Sequence, residues 1–516
     1  MDTKSSILLG SSFVAGFSLM TVELISSRIM APLVGTSLYT WTSVIGITLL
    51  GLSIGSYLGG RLSDKYSPGK IVIMSYIFSS LFVAIIPLLK GFTSIILDNI
   101  NSIIYLNILV SCFLFLPSAI ILGIIQPALL KIYSQDFSTL GKHYGTLSTV
   151  WSVGSILGVF LTGFFFTSYL GSSNTLFLVS LILLINGLFY IKYLSIKNSA
   201  SLFLVCLLAI IFLYFYNSSI AQSKNVIFQK ETAYYSSKII STTYNKVPVK
   251  FLFLDTDAHS IEATSGNIHF SYTSLCPILS LVKQNISSMY YIGGGSYSMP
   301  KYCQSLLPKT EIIVSEIDPE VKKIAEDYFD LKKYPIETEI GDARINLSKS
   351  TKQYDFIFGD AYNSFIAVPW HLMTYEFNEL VKTKLTSDGV YAINFIGTTE
   401  GPGTDILYSV IKTISKSFFI SDIFAFGSKP AEIQNIVIFG KKTATPNDSD
   451  LTTKLVENDL TIKKYLLPKE RVDQLIKDSE NSTLLTDDFA PTEDLLSRAI
   501  RSYWHQNRNY LKTISF

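Results

Sequence analysis

The strongest constraint on the fold is the uneven distribution of apolar residues along the chain. Up to about residue 216 the sequence consists almost wholly of long apolar stretches, whereas most charged residues follow in the remainder of the 516 residues. Most stretches exceed the roughly 18 to 20 apolar residues that cross a bilayer core. The boundaries that we predict are 6–30, 38–60, 70–90, 103–131, 146–168, 174–194 and 200–217. The sequence therefore predicts a multi-pass helical domain of about seven helices over residues 1–220, located in the cell membrane.

Composition supports this interpretation and excludes other classes. Hydrophobic residues make up 48% of the chain and charged residues 16%, which is too apolar for an ordinary soluble protein. The net charge of +2 gives no field that would attract nucleic acid, so we expect none as a partner. The first stretch has no small-residue cleavage site and continues into Glu23 and Arg28. We therefore expect it to stay in the protein as a helix rather than to be removed as a signal peptide.

Basic residues follow the even-numbered stretches, and these residues face the cytoplasm in most membrane proteins. They are Arg61, Lys65, Lys70, Lys131, Lys142, Lys192 and Lys197. This bias predicts a cytoplasmic N-terminus. If the last stretch, 200–217, crosses the membrane, the C-terminal half lies outside the cytoplasm; since this stretch is short, an interfacial or re-entrant segment stays open as the alternative.

Two features within the apolar half have a structural and a functional interpretation. Glu23 and Arg28 are costly at membrane depth, which favours a structural pair or an interface anchor, with an ion or substrate path as the alternative. The second stretch carries a face of small residues suited to close helix packing. Its members are Gly51, Gly55, Gly59 and Gly60.

The C-terminal half has the pattern of a separate α/β protein. Short alternating stretches over 226–285 predict a small β-hairpin domain. Strand and helix patterns then alternate over 286–445, which predicts a parallel α/β sheet of the Rossmann-like type. We expect a helical extension over 446–516. The four cysteines form no CxxC or Cys/His cluster, so no metal site is expected. We interpret Cys276 and Cys303 as two buried thiols, with a disulfide as the alternative.

Polar residues gather where the predicted strands of this sheet end. The first strand, 288–292, runs into three glycines that let backbone approach a ligand closely. The second ends about 20 residues later in two carboxylates, the spacing at which a carboxylate accepts hydrogen bonds from ribose hydroxyls. The predicted binding residues of these two strand ends are Gly293, Gly294, Gly295, Glu316 and Asp318.

The third and fourth strand ends complete the pattern. Asp342, followed by Ala343, is placed to meet an adenine amino group, and Asp360 follows the fourth strand. The glycine turn is not GxGxxG and no phosphate-binding motif follows. An adenosine compound without a phosphate chain therefore fits better than a dinucleotide, namely S-adenosylmethionine or its decarboxylated relative. The alternative is that the acidic residues only cap helices.

These motifs resemble the spermidine/spermine synthase family, in its membrane-fused branch, over nearly the whole chain. The segments that carry the resemblance are Glu23–Arg28, Trp41–Gly46, Ile292–Gly295, Glu316–Pro319, Gly341–Arg344, Tyr354–Asp355, Gly359–Ala361, Val368–Thr374, Asp388–Tyr391 and Thr486–Glu493. The resemblance implies a transferase fold of the S-adenosylmethionine-dependent type. It also implies transfer of an aminopropyl group from decarboxylated S-adenosylmethionine, used as a cosubstrate with no tightly bound cofactor, to a polyamine-type acceptor.

Roles for individual residues follow from the same resemblance. Glu316 would hold the ribose, and Asp342 with Ala343 would contact adenine. Asp360 would be the catalytic residue that accepts the proton of the amine, a role that suits a carboxylate because a protonated amine cannot attack. Tyr272 would line the substrate site.

The acceptor side departs from the family pattern. Ser296 stands where soluble members have an aspartate, and Asn363 stands at a second aspartate position. His259 lies near a usual glutamine, and Tyr235 replaces another. We therefore expect Tyr272, His259 and Asn363 to bind the acceptor, with fewer carboxylates than in a soluble relative. Acidic residues near the C-terminus offer substitute contacts, with helix capping as the alternative for at least one of them: Asp487, Asp488 and Glu493.

Two other functions stay open. A methyltransferase that uses S-adenosylmethionine needs a partner for the carboxylate of that ligand, for which Lys301 is a weak candidate. A transporter or sensor would bind an adenosine ligand or a polyamine without chemistry. His371 is expected to pack or cap a helix, with gating of the site as the alternative. Expected partners are the lipid bilayer and a small amine, and a homo-oligomer stays open.

Overall fold

The computed structural model consists of two compact units. The helical unit comprises Met1–Lys224 with Lys230–Ala233, and the sheet unit comprises Asn225–Gln229 with Tyr234–Ile514. The residues that the structure describes are 3–35, 37–90, 93, 102–134, 136–194, 199–220, 225–244, 246–255, 257–263, 271–361, 369–401, 403–443, 451–458 and 460–496.

Seven long helices are described in the helical unit. They are α1 Thr3–Val34, α2 Leu38–Lys65, α3 Pro68–Leu89, α4 Ile103–Tyr133, α5 Leu140–Leu161, α6 Ser172–Leu194 and α7 Ser199–Ile220. Within the described residues, the first six are long and apolar enough to cross a membrane, α5 through its extension to Tyr169. The described apolar part of α7 is the shorter segment Leu204–Asn217. The prediction of long helices is confirmed, and crossing by the seventh stays a prediction.

Glycines on α2 allow α4 to approach closely. A Cβ on Gly51 would lie 2.5 Å from the Ala119 side chain, and one on Gly55 would lie 2.1 Å from the Ile120 carbonyl oxygen. Gly59 makes a similar approach to the next turn of α4. The packing interpretation is confirmed for these three glycines. It is wrong for Gly60, where a Cβ would meet nothing within 4 Å.

This contrast gives a matched pair of variants. Gly55→Ala is expected to force the two helices apart, because backbone cannot yield as a flexible side chain does, with a cost of about 1–3 kcal/mol or more. Gly60→Ala adds the same methyl group into open space and is expected to change little. Thermal unfolding of the detergent-solubilised protein measures both. Equal midpoints for the two variants would contradict the packing role of Gly55.

Arg28 does not pair with Glu23. Its guanidinium donates to the carbonyl oxygens of Thr232 and Ala233, at 2.6 and 2.8 Å, within the helical unit. Next to these residues, Glu231 accepts hydrogen bonds from the backbone N–H and hydroxyl of Ser172, at 2.6 and 2.7 Å. Arg28 therefore has a structural role, since it satisfies two backbone acceptors of the segment 230–233.

The sheet unit begins with a small four-stranded sheet in the order β1-β2-β3-β4. Its strands are β1 Val226–Glu231, β2 Ser236–Tyr244, β3 Val247–Leu254 and β4 Asp257–Ala263. The β2, β3 and β4 pairs are antiparallel, as the alternating pattern predicts. Ile239 and Leu252 on this sheet pack against Val321 and Ile324 of the following domain.

The main sheet has seven strands in the order β10-β11-β9-β8-β5-β6-β7. They are β5 Ser288–Ile292, β6 Glu311–Glu316, β7 Ile336–Ile340, β8 Tyr354–Gly359, β9 Leu385–Gly397, β10 Phe419–Ala425 and β11 Gln434–Lys441. The five strands from β7 to β9 are parallel, which confirms the predicted α/β sheet, whereas β11 and β10 join antiparallel at one edge. The strand order reverses between β5 and β8, and open α/β sheets bind ligands at such a switch point.

Helices cover this sheet, and three of them begin at a capping side chain. They are α8 Ser298–Leu306, α9 Pro319–Tyr328, α10 Ala343–Lys349, α11 Tyr375–Lys384, α12 Thr404–Ser417, α13 Leu451–Glu457 and α14 Lys469–Ser479. Asp318 caps α9 and is followed by a proline at the first helical position, where no backbone donor is needed. Asp342 caps α10, and Thr374 caps α11. Polar residues at strand ends therefore also set where these helices start.

A disulfide links Cys276 and Cys303, whose Cα atoms lie 5.2 Å apart. The prediction of two thiols is wrong. Cys276 belongs to the helical segment Ser271–Ile278, and Cys303 belongs to α8; both lie in the buried core of the sheet unit. The sequence shows two apolar cysteines 27 residues apart, but only the packing of these two segments brings them to bonding distance.

Candidate active site

The switch point brings the ends of β5 and β8 together. The Asp360 N–H donates to the Ile292 carbonyl oxygen at 2.9 Å, which continues the strand pairing to the first residue after β8. Gly293 has φ +95°, and a Cβ there would lie 2.5 Å from the Asp360 carbonyl oxygen. Only glycine fits such a position, so the glycine turn is what lets Asp360 lie beside it.

A cavity of about 400 Å³ opens at this edge of the sheet. Its volume lies in the range of small-molecule sites. Of the residues predicted from the sequence it is lined by Gly293, Gly294, Gly295, Glu316, Asp342, Ala343, Asp360, Tyr272 and His259. Asp318 is not among the lining residues, and Asn363 lies outside the described residues. The structure thus brings residues from six separate segments to one cavity.

Asp360 is held by two hydrogen-bond donors. The Tyr272 hydroxyl donates to one carboxylate oxygen at 2.9 Å, and the Asn394 side-chain amide donates to the other at 2.8 Å. Burial raises the pKa of Asp360 to about 6, while the two hydrogen bonds oppose that rise. A carboxylate with this pKa is ionised at neutral pH yet basic enough to take a proton from a nucleophile.

Glu316 is tied to the glycine turn. One carboxylate oxygen accepts from the Gly294 N–H at 2.9 Å, and the other accepts from the Asp318 N–H at 2.9 Å. Burial raises the pKa of Glu316, and the backbone hydrogen bonds oppose that rise. The first of these oxygens also accepts from the Gly295 N–H at 3.4 Å, whereas the oxygen bonded to the Asp318 N–H keeps a further lone pair. The side chain is therefore oriented and can still accept a hydrogen bond from a ligand hydroxyl.

Asp318 and Asp342 both cap helices, as the capping alternative predicts, but only Asp342 also lines the cavity. Asp318 is buried, accepts from the Glu320 N–H at 3.0 Å and is not among the described residues that line the cavity. Asp342 accepts from the Arg344 N–H at 2.8 Å through one oxygen and meets His371 Nε2 at 2.9 Å through the other. Because Asp342 and His371 also line the cavity, this pair belongs to the site.

The packing interpretation of His371 therefore omits its position in the cavity wall. Its neighbour Arg344 forms two hydrogen bonds to the carboxylate of Asp487, at 2.7 and 2.6 Å, and Thr374 donates to the same carboxylate at 2.7 Å. Asp487 is thus occupied by Arg344 and is not a cavity-lining residue. The hypothesis that it replaces a missing acceptor carboxylate is wrong.

His259 contributes a neutral side chain to the cavity. Burial lowers the pKa of His259 to about 4, so the imidazole is uncharged at neutral pH. Its Nε2 atom is buried and has no hydrogen-bond partner among the described residues. A buried polar atom without a protein partner is costly, and a ligand that bonds to it would remove that cost.

Two asparagines complete the site and were not predicted. Asn394 on β9 bridges Asp360 and the side-chain oxygen of Asn435 on β11, at 2.8 and 3.0 Å. Both line the cavity together with Ile396. The signal for Asn394 is a single amide in the otherwise apolar strand 390–396, since a polar group in a buried strand needs a partner. Asn435 has no comparable signal, because its strand position is set by antiparallel pairing with β9.

The Tyr272 hydroxyl gives a testable pH dependence. Asp360 must be ionised to accept a proton, so kcat/KM is expected to fall about tenfold per pH unit below its pKa of about 6. Tyr272→Phe removes a hydrogen bond that favours the carboxylate, so the fall should begin at a higher pH. Full pH profiles of both proteins with one amine test this, since the ionisation of the amine itself cancels in the comparison. Coincident profiles would contradict the role of Tyr272.

Comparison with known proteins finds two polyamine aminopropyltransferases similar to this chain. The chain is 30% identical over 232 residues to the polyamine aminopropyltransferase of Vibrio vulnificus, which covers 43% of this chain and 75% of that protein. It is 23% identical over 423 residues to polyamine aminopropyltransferase 2 of Aquifex aeolicus, which covers 79% of this chain and 82% of that protein. The second match is longer than the sheet unit and so includes part of the helical unit.

A solved structure, a probable spermidine synthase from Corynebacterium glutamicum, is 18% identical, with a TM-score of 0.43, and covers 51% of this chain and 96% of that one. No protein-family model matches the chain. The identity to the Vibrio vulnificus protein, over three quarters of that protein's length, decides the assignment. The chain belongs to the polyamine aminopropyltransferase family and is a transferase.

Proposed function

We propose that this chain is a membrane-bound aminopropyltransferase that moves the aminopropyl group of decarboxylated S-adenosylmethionine to an amine. The observation that carries the proposal is the Asp360 carboxylate, oriented by Tyr272 and Asn394 beside a nucleoside-sized cavity. The names of the two relatives support the same chemistry. Six long apolar helices support a place in the bilayer.

The donor would occupy the side of the cavity formed by the ends of β5, β6 and β7. Glu316, held by backbone donors, is oriented to accept hydrogen bonds from the ribose hydroxyls. Asp342 and Ala343 line the wall where adenine would lie, and His371 fixes the second oxygen of Asp342. Gly294 and Gly295 leave room for the nucleoside at the turn.

Asp360 would then serve the reacting amine. A protonated amine binds to the carboxylate, gives up its proton to it, and attacks the aminopropyl methylene carbon with the freed lone pair. The bond from that carbon to the sulfonium sulfur breaks, and its electron pair stays on sulfur, which leaves neutral methylthioadenosine. The proton moves to solvent after release of the products. A pKa of about 6 lets Asp360 take the proton and lose it again near neutral pH.

The walls of the cavity favour the decarboxylated donor over S-adenosylmethionine. No lysine or arginine is among the residues that line it in the described part of the chain. Lys301 is buried and paired with both oxygens of Glu262, at 2.8 and 2.9 Å, so it is not available to a ligand carboxylate. A carboxylate would also be repelled by Asp360, whereas an ammonium is attracted. The methyltransferase alternative thus loses its candidate residue.

The backbone donors of the glycine turn are engaged as well. The Gly293 N–H donates to the Ser315 carbonyl oxygen at 2.9 Å, and the Gly294 N–H donates to Glu316. The Ser296 N–H donates to the Ser260 hydroxyl at 3.1 Å. A ligand carboxylate at the turn would have to displace these bonds, which a donor without a carboxylate does not require.

Product analysis tests the proposal. Purified full-length protein is incubated with either donor and a panel of amines, and nucleoside products are identified by mass spectrometry. Methylthioadenosine formed only from the decarboxylated donor, and only when an amine is present, is the expected result. S-adenosylhomocysteine would show a methyltransferase. Neither product, with ligand binding demonstrated, would point to the transporter or sensor alternative.

A further inference from the structure

The sheet order divides the cavity into two chemically different sides. Glu316 and Asp342 follow β6 and β7, on one side of β5, whereas β8, β9 and β11 lie on its other side. On that second side, which we call the acceptor side, Asp360 is the sole carboxylate among the lining residues that the structure describes. Its remaining members on β9 and β11 are uncharged: Asn394, Ile396 and Asn435. Among these described lining residues, a ligand on the acceptor side meets one negative charge.

The other described lining residues of this side, and the sequence after Asp360, offer no second carboxylate. Tyr272 and His259 line the same cavity. His259 is uncharged at neutral pH, because burial lowers its pKa to about 4. The sequence that follows Asp360, residues 362–368, contains neither aspartate nor glutamate. Glu262 of β4, three residues after His259, is paired with Lys301 through both carboxylate oxygens. Among the described residues that line the acceptor side, the carboxylate of Asp360 therefore has no neighbour of equal charge.

Under the proposed function, the single carboxylate of Asp360 already faces two ammonium groups. The aminopropyl chain of the donor carries an ammonium group, and the acceptor brings the ammonium that must lose its proton. A further ammonium on the acceptor would enter an environment of amides and an apolar side chain. An ammonium that leaves water without a carboxylate partner is strongly disfavoured.

We propose that the acceptor is an amine with one ammonium group and an uncharged remainder, in place of the diamine or polyamine that the family resemblance implies. The uncharged part would lie against Ile396 and accept or donate hydrogen bonds at Asn394 and Asn435. The inference rests on the proposed function, because it concerns the second substrate of the same reaction.

Amines matched in chain length test the inference on the full-length protein with saturating decarboxylated S-adenosylmethionine. Butylamine is compared with 1,4-diaminobutane, and pentylamine with 1,5-diaminopentane, by the rate of methylthioadenosine formation. The expected result is a kcat/KM at least tenfold higher for each monoamine. A preference for the diamines overturns this inference and leaves aminopropyl transfer intact. Absence of product with every amine overturns the proposed function and the inference with it.

A variant that adds the missing charge sharpens the test. Asn435→Asp places a second carboxylate on the acceptor side and can still accept the hydrogen bond from Asn394. It is expected to raise the ratio of diamine to monoamine kcat/KM at least tenfold. Asn435→Ser, which alters the same position without adding charge, is the matched control and should keep the wild-type ratio. An unchanged ratio in Asn435→Asp, with kcat/KM measurable for both amines, would overturn the inference.

Discussion

Asp360→Asn is expected to lower kcat at least 100-fold while the protein stays folded. The amide has nearly the same shape but cannot take a proton from the attacking amine, and general base catalysis contributes about 10²–10⁴-fold. The Tyr272 hydroxyl can still donate to the remaining side-chain oxygen at this position, so the wall of the cavity is kept. Methylthioadenosine formation at pH 8, with the donor and an amine at saturation, measures the effect.

Thermal unfolding serves as the control for this variant. Burial raises the pKa of Asp360 from an ordinary 3.8 to about 6, so the folded protein binds the proton more tightly than the unfolded chain. Between these values stability falls as pH rises, and at pH 8 the ionised carboxylate costs stability rather than contributing to it. Removing the charge should therefore leave the melting temperature within a few degrees of wild type. An Asp360→Asn protein with wild-type turnover would refute the proposed role.

Loss of the Cys276–Cys303 disulfide is expected to destabilise the sheet unit by about 3.5 kcal/mol, the value for closing a loop of 27 residues. The bond also connects the segment that carries Tyr272 with α8, which follows the glycine turn. Because Tyr272 orients Asp360, the loosened segment should lower activity before the protein unfolds. Heat inactivation of the detergent-solubilised protein, with the Cys276→Ser/Cys303→Ser variant beside wild type, measures both effects.

Reductant provides the matched comparison for the disulfide. Wild type should approach the double variant when dithiothreitol is added, whereas the variant should not respond further. Cys112 and Cys206 are free thiols in the helical unit, so a Cys112→Ala/Cys206→Ala protein should keep the full response to reductant. A double variant as heat-stable as wild type would show that the bond has no such role. If Cys276 and Cys303 do not react with a thiol reagent in intact cells, the disulfide is formed there, and the sheet unit lies in an oxidising compartment. This location agrees with a seventh helix that crosses the membrane.

Local patterns were sufficient wherever the physical constraint acts over a few residues. The length of apolar stretches predicts the helices of the helical unit because a bilayer sets a minimum span. The glycine turn and the acidic strand ends predict one edge of the sheet, because parallel strands all end there. The same reasoning could not separate Asp318 from Glu316: the two are neighbours in sequence, but one caps a helix away from the cavity.

Contacts between distant segments were beyond the sequence. Asn394 and Asn435 meet because β11 pairs antiparallel with β9, a register that neither strand specifies alone. Arg344 forms an ion pair with Asp487, which lies 143 residues further along the chain. The carboxylate of Asp487 is therefore not available to the acceptor side. The pairing of Cys276 with Cys303 likewise depends on two segments that meet only in the folded core.

The sequence by itself determined the class of this protein: long apolar helices, a parallel sheet, and a carboxylate after the fourth strand of that sheet. These follow from periodicity and from the order of strand ends, which are local properties. Only the tertiary structure decided what Asp360 can do. Its pKa, its two hydrogen-bond donors and the absence of a second acceptor-side carboxylate among the described lining residues all result from burial and long-range packing. Burial and charge spacing are properties of the folded surface, so no short stretch of sequence contains them.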